Sequence, residues 1–363
     1  MKSAVDRSLP VVTMYIITNL GLLFFLYPGD IISSTDESHW IPISLGLATH
    51  FLFLSMYMKG LSYFRNRDII SIYVSTGKTV AVIFLLPMMV YLLIIAIIIL
   101  RACSEIITIV FLSSTPLWSI IILLLSMSTY MAAQSMQSVF RTGVLLAILF
   151  LPSILFVLLL SFQNIDWHYI YPLWNNDFSF LKQTSYLKSY FAFSGSFLFL
   201  GFVQPGFTYQ RYKVQLAAIV LMPFFLLSVY IPVLTFGQAT ASTLTFPFVV
   251  ALDAAQVNWL IFDRITMFFL LNLITFIILF LASLLWMTSK IAAICLPAVK
   301  PAYMVVSIAA VLYIFCLMIP DWKEVDHFFV WNTPLRFYML IAIPISIYYL
   351  GLRFKRKERH ADK

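Results

Sequence analysis

Apolar residues run in blocks of about twenty, parted by short polar segments, along nearly the whole chain. Wound as an α-helix, a block of that length matches the ~30 Å hydrocarbon layer of a bilayer. Ten spans are predicted on this basis. The first three lie near Pro10–Tyr27, Trp40–Met58 and Thr79–Leu112, and the next three near Leu117–Ala133, Gly143–Phe162 and Tyr186–Val203. The last four lie near Val214–Phe236, Phe262–Ser289, Ala302–Ile319 and Phe337–Leu352. The third and eighth are longer than one crossing needs, so they must tilt or project beyond the membrane. The polar stretch from Met1 to Arg7 is too short for a cleavable signal, so the first apolar block is expected to be a retained span.

Composition agrees. Of 363 residues, 62% are hydrophobic and 10% charged, against about half and a quarter in an ordinary soluble domain. A single soluble core could not hide such continuous apolar runs. The net charge of +8 would suggest nucleic acid if it clustered on one soluble face. Instead the basic residues fill alternate loops: about seventeen, among them Lys59, Arg67, Arg211 and Lys290, fall with the two termini on one side, and about four, Lys182, Lys188, Lys323 and Arg336, on the other. This asymmetry predicts an even number of spans with both termini in the cytoplasm and excludes a role on nucleic acid. The expected organisation is one integral membrane domain over 1–363, ending in a basic tail at 353–363. Two longer external segments, Gln163–Leu187 and Gly237–Ile261, carry Trp and Tyr suited to the interface.

Catalysis is not expected. The chain has no phosphate-binding glycine loop, no HExxH and no GxSxG. Cys103, Cys295 and Cys316 lack metal or disulfide spacing, so neither a metal nor a cofactor is expected. Of five scattered histidines only His50 lies within a span, where hydrogen-bonded packing is the expected role. Arg101 and Glu105 stand four apart near the outer end of the third span and can pair on one face, an internal salt bridge being the favoured reading. Asp263 and Arg264 open the eighth span. Asp263 suits a helix N-terminus, whereas Arg264 needs another partner, either as a structural anchor or in contact with a neighbouring subunit or loop.

Small polar residues interrupt two spans. Thr18-Asn19-Leu20-Gly21 falls in the first and Ala192-Phe193-Ser194-Gly195-Ser196 in the sixth. Such residues either let helices pack closely or open a helix so that its backbone dipoles hold a small zwitterion. Two interruptions five spans apart match the spacing of paired broken helices in inverted repeats.

Several short segments, in order and spacing, resemble the B subunit of spore germination receptors, the GerAB type, within the amino acid–polyamine–organocation superfamily. They are Thr115-Pro116-Leu117-Trp118, Tyr130 leading to Arg141-Thr142, Asn164-Ile165-Asp166 with Pro172, Leu244-Thr245-Phe246-Pro247, Phe262-Asp263-Arg264 and Ile319-Pro320-Asp321. The resemblance covers nearly the whole chain. It implies an all-α LeuT-like fold of two inverted five-helix repeats, about 10–162 and 186–319, with a last helix near 337–352 and with helices 1 and 6 broken. It also implies a small nutrient, commonly an amino acid, held where the broken helices face the third and eighth. The ligand-binding candidates carried over are Asn19 and Gly21 on the first span, Tyr91 on the third, Phe193, Ser194 and Gly195 on the sixth, and Asn272 with Thr275 on the eighth. Arg101, Glu105, Asp263 and Arg264 are structural or coupling candidates.

The chain also departs from the pattern. Many members carry an acidic residue in the sixth span and a Trp midway along the eighth; here Ser194-Gly195-Ser196 and Leu271-Asn272-Leu273 stand there, and Thr266 replaces an Asp. Without that carboxylate, and with no Lys in the fifth span, proton-coupled uptake loses two plausible groups. The resemblance therefore implies a nutrient receptor of the spore inner membrane, acting with an A-type membrane subunit and a C-type lipoprotein. A proton-coupled amino-acid transporter is the alternative.

Overall fold

The computed structural model describes residues 8–64, 67–110, 112–174, 178–207, 209–254 and 265–361. Asp263 and Arg264 lie outside them. The described residues are predominantly helical and contain no strand. The chain opens with α1 (Ser8–Leu23), breaks at Phe24–Leu26, and resumes as α2 (Tyr27–Ile32). There follow α3 (Trp40–Leu61), the short α4 (Ile69–Thr76), α5 (Lys78–Val110), α6 (Leu117–Gln134) and α7 (Met136–Leu160). The sixth apolar block contains only α8 (Thr184–Ser189), α9 (Phe191–Ser194) and a tight turn at Leu198–Gly201. Beyond it come α10 (Arg211–Phe236), α11 (Gln238–Ala241), α12 (Pro247–Asp253), α13 (Ile265–Cys295) and α14 (Pro301–Met318). The chain closes with α15 (Trp322–Trp331), α16 (Thr333–Phe337), a wide π turn at Tyr338–Ala342 and α17 (Ile343–Ala361).

Eight helical segments among the described residues are long and apolar enough to cross a membrane. The other two of the ten predicted blocks, the first and the sixth, are the ones that break. The protein is thus an all-α polytopic membrane protein. Its centre is α13: 78% of its apolar window is buried, against 28–50% in the other long spans, and α1 packs along it. By contrast α6, α7 and α14 turn large side chains such as Ile122, Leu145, Leu149 and Ile314 outward, as lipid-facing helices should.

Proline decides much of the local geometry, because it cannot donate to the carbonyl four residues back and its ring crowds that carbonyl. Pro28 denies the ladder a bond to Phe24, and the first span breaks there rather than at Thr18–Gly21, which stay helical. Within the break Phe25 N–H turns back only to Leu22 O (3.4 Å). Pro87 inside α5 likewise frees the Ile83 carbonyl, which accepts from the Tyr338 hydroxyl (2.9 Å) across the bundle. The π turn ends two residues before Pro344, where the regular ladder would again fail.

Small residues set the closest crossings. A Cβ on Gly60 of α3 would come within 2.7–2.8 Å of the Ile347–Tyr348 backbone, so α3 and α17 touch main chain to main chain. At this end of the bundle basic side chains lie over aromatic rings: Lys59 over Tyr348 (5.6 Å), Arg67 over Phe354 (5.5 Å) and Lys355 over Tyr63 (5.4 Å). The opposite end carries the short helices α2, α8, α12 and α15.

Candidate functional site

The sixth segment poses a problem of backbone satisfaction, since carbonyls freed from a helix in apolar surroundings need partners. Here side chains of α3, and two from the same stretch of chain, supply them. The Phe193 carbonyl accepts from His50 Nδ1 of α3 (3.1 Å) and from Ser196 Oγ (3.4 Å). Leu198 O accepts from the Tyr57 hydroxyl (3.2 Å), and Leu200 O from Tyr209 (3.5 Å). The chain can stay open at Gly195–Phe197 because these side chains replace the missing ladder.

His50 also reaches the first segment. Its Nε2 lies 2.6 Å from the Tyr15 hydroxyl of α1. A carbonyl can only accept, so Nδ1 carries the hydrogen toward Phe193; in the neutral ring Nε2 then accepts from Tyr15. The imidazole thus ties the two interrupted segments together. All three residues are buried. Their partners stand 35 and 143 residues away, so the sequence held no local signal of this role beyond a single His within a span.

On the other side of the sixth segment, Tyr91 of α5 is hydrogen-bonded to Ser194 Oγ (2.5 Å). Gly195 lies beside the same hydroxyl: a Cβ there would stand 3.5 Å from Tyr91 Oη and 3.6 Å from the Phe280 ring of α13. Phe193 packs edge-on to Tyr27 (5.7 Å) and stacks on Phe225 (5.0 Å), with its ring pressed against Gly46 of α3. Tyr91, Phe193, Ser194 and Gly195 therefore form one group where α3, α5 and α9 meet the first break. Thr18 Oγ1, one turn beyond Tyr15, and the Tyr27 hydroxyl are buried with no hydrogen-bond partner among the described residues.

The remaining candidates lie elsewhere. Gly21 sits at the α1–α13 crossing, where an added Cβ would come 3.2 Å from Phe276 Cβ. Asn19 bonds back to the Tyr15 carbonyl within α1 (2.9 Å). Asn272 is directed to α7, donating to Ser153 Oγ (2.9 Å), and Thr275 bonds to Leu271 O of its own helix (2.8 Å). Arg101 pairs with Glu105 and donates to Pro320 O (3.3 Å), pinning α5 to the turn before α15.

Above the Tyr91 group, Arg336 of α16 is fully buried. Its guanidinium donates to the carbonyls of Leu187 (3.1 Å), Lys188 (3.0 Å) and Phe329 (3.1 Å), so it clamps α8 to α15. The sequence shows Arg336 only as an external charge beside the last span. Its three acceptors are backbone groups, which no pattern of side chains announces.

The family model for spore germination proteins matches residues 8–323. This chain belongs to that family. Members are membrane proteins of receptor or permease type, and this member's apolar helices and interrupted segments fit that description. No curated protein matches the chain.

Proposed function

We propose that this germination protein is the membrane subunit of a nutrient receptor, binding a small molecule, an amino acid, where its two interrupted helices meet. The observation that carries the reading is the Tyr91–Ser194 pair at the opening of the sixth segment, with the unpartnered Thr18 and Tyr27 hydroxyls on the first. Buried polar groups without partners are costly unless a guest completes them. Phe193 sets the room for the side chain, and Gly195 brings backbone close to Tyr91 Oη. The two interruptions would be the paired broken helices of inverted five-helix repeats. The basic end, with its stacked lysines and arginines, faces the cytoplasm, in the spore inner membrane. Binding favours one packing of the bundle and passes that preference to an A-type membrane subunit and a C-type lipoprotein.

Thermal shift of the purified protein across the amino acids tests this. One or a few should stabilise the wild type, and Tyr91→Phe and Ser194→Ala should weaken the shift about tenfold in ligand concentration, as loss of a buried hydrogen bond implies. A full panel without any shift would sink the receptor reading. One observation favours transport instead: His50 is a titratable group touching both interrupted segments. Amino-acid accumulation in liposomes driven by a pH gradient, with no other subunit present, would establish that reading.

A further inference from the structure

At the end of the bundle that carries the short helices, beyond Arg336, lies an open cavity of about 240 Å³ between α2, α8, the Ser242–Thr245 turn and α15. Its wall joins Asp30 of α2, Lys188 of α8, Asp326 and Trp322 of α15 to the hydroxyls of Ser33 and Thr243. It is separate from the Tyr91–Ser194 group, none of whose residues lines it.

Its charges are unevenly matched. Lys188 Nζ serves two carboxylates at once, Asp326 Oδ1 at 2.6 Å and Asp30 Oδ1 at 3.4 Å. Asp30 is only 8% exposed, and its second oxygen, Oδ2, has no hydrogen-bond partner among the described residues. Arg336 lies near but directs its two Nη groups at three carbonyls, and its Nε–H makes no hydrogen bond to Asp30 or any other described residue. A buried carboxylate oxygen without a donor is strongly unfavourable. What it lacks is a compact donor carrying positive charge. Asp326, about half exposed at the rim, would draw such a group in, and Trp322, packed against Phe246, adds an aromatic wall.

We propose that this outer cavity is a second binding site, which takes a small ligand by its primary ammonium group. Asp30 Oδ2 is the anchor, Asp326 the rim attraction, and Lys188 the resident cation with which the ligand competes. The volume suits a small amine or amino acid and excludes a peptide. The shared chemistry is the ammonium, whether it comes from a soluble amine or from an ethanolamine lipid headgroup.

The test uses the full-length protein in phosphatidylglycerol nanodiscs, titrated with ethylamine and followed by calorimetry. Saturable binding is expected, weakened at least tenfold in Asp30→Asn and about threefold in Asp326→Asn. Lys188→Met should act in the opposite sense and tighten it, since the competing cation is gone; this sign distinguishes the site from general loss of fold. Ethanol, which lacks the ammonium, should not bind. Competition by phosphatidylethanolamine would assign the occupant to lipid and its absence to a soluble amine, the site standing in both cases. The proposal is overturned if ethylamine does not bind, if Asp30→Asn binds it as the wild type does, or if potassium chloride at equal concentration produces the same heat.

Discussion

Replacing His50 by Leu tests how the open sixth segment is held. The change keeps an apolar side chain of similar reach but strips two partners at once, the Tyr15 hydroxyl at 2.6 Å and the Phe193 carbonyl at 3.1 Å. In a water-soluble core each orphaned group would cost about 1–3 kcal/mol. Within a membrane, measured side-chain bonds average about 0.6 kcal/mol and reach about 1.7, because the inserted but unpacked chain finds other partners. The expected loss for His50→Leu is therefore about 1–3 kcal/mol. Tyr15→Phe removes only the donor, and His50 keeps its bond to Phe193, so about 1 kcal/mol should go. Once His50 is Leu, the Tyr15 hydroxyl is a buried liability, so the double variant should be more stable than the sum of the two losses predicts, by about 0.5–1.5 kcal/mol. Unfolding of the purified protein by SDS in mixed micelles, for the wild type and the three variants, measures all four corners. Strict additivity within error would refute the Tyr15–His50 bridge. A loss no larger for His50→Leu than for Tyr15→Phe would refute the bond to the sixth segment.

Gly60→Leu should abolish folding, since its Cβ alone would meet the Ile347–Tyr348 backbone at 2.7–2.8 Å; a monodisperse, wild-type-like elution profile would contradict the crossing. Gly21→Leu should insert normally yet, under the proposed receptor role, abolish the response to nutrient, because it drives α1 off Phe276 of α13, and an unaltered dose response in spores would count against that coupling. Arg336→Met should cost about 2–5 kcal/mol by stranding the carbonyls of Leu187, Lys188 and Phe329. Arg336→Lys should recover less than half of that loss, since one ammonium lacks the guanidinium fork; full recovery would show that charge alone matters.

The spans were legible because a bilayer imposes one length and one composition on every crossing, and the blocks of apolar residues carry both. The sixth interruption was legible for a related reason: Ser194-Gly195-Ser196 is a poor helix centre in any context. The first was half legible. Gly21 drew the reading, yet Pro28 fixes the break by removing a bond to Phe24, while Gly21 serves close packing against α13. The His50 bridge and the clamp of Arg336 on three carbonyls were not legible, because each joins segments far apart in sequence and addresses backbone acceptors, which every residue has. The Asp30–Lys188–Asp326 cluster was visible only as scattered charges in different loops.

The sixth segment is fastened by hydroxyls and an imidazole from its neighbours, not by its own ladder, and this sets the energy scale for movement. Sliding it would rupture four side-chain contacts, from His50, Tyr57, Tyr91 and Tyr209, of about 0.6 kcal/mol each, and no run of helical bonds. An energy difference of a few kcal/mol between two packings lies within the differential affinity a small ligand can supply. A latch of this kind can be released and re-formed without unravelling any helix.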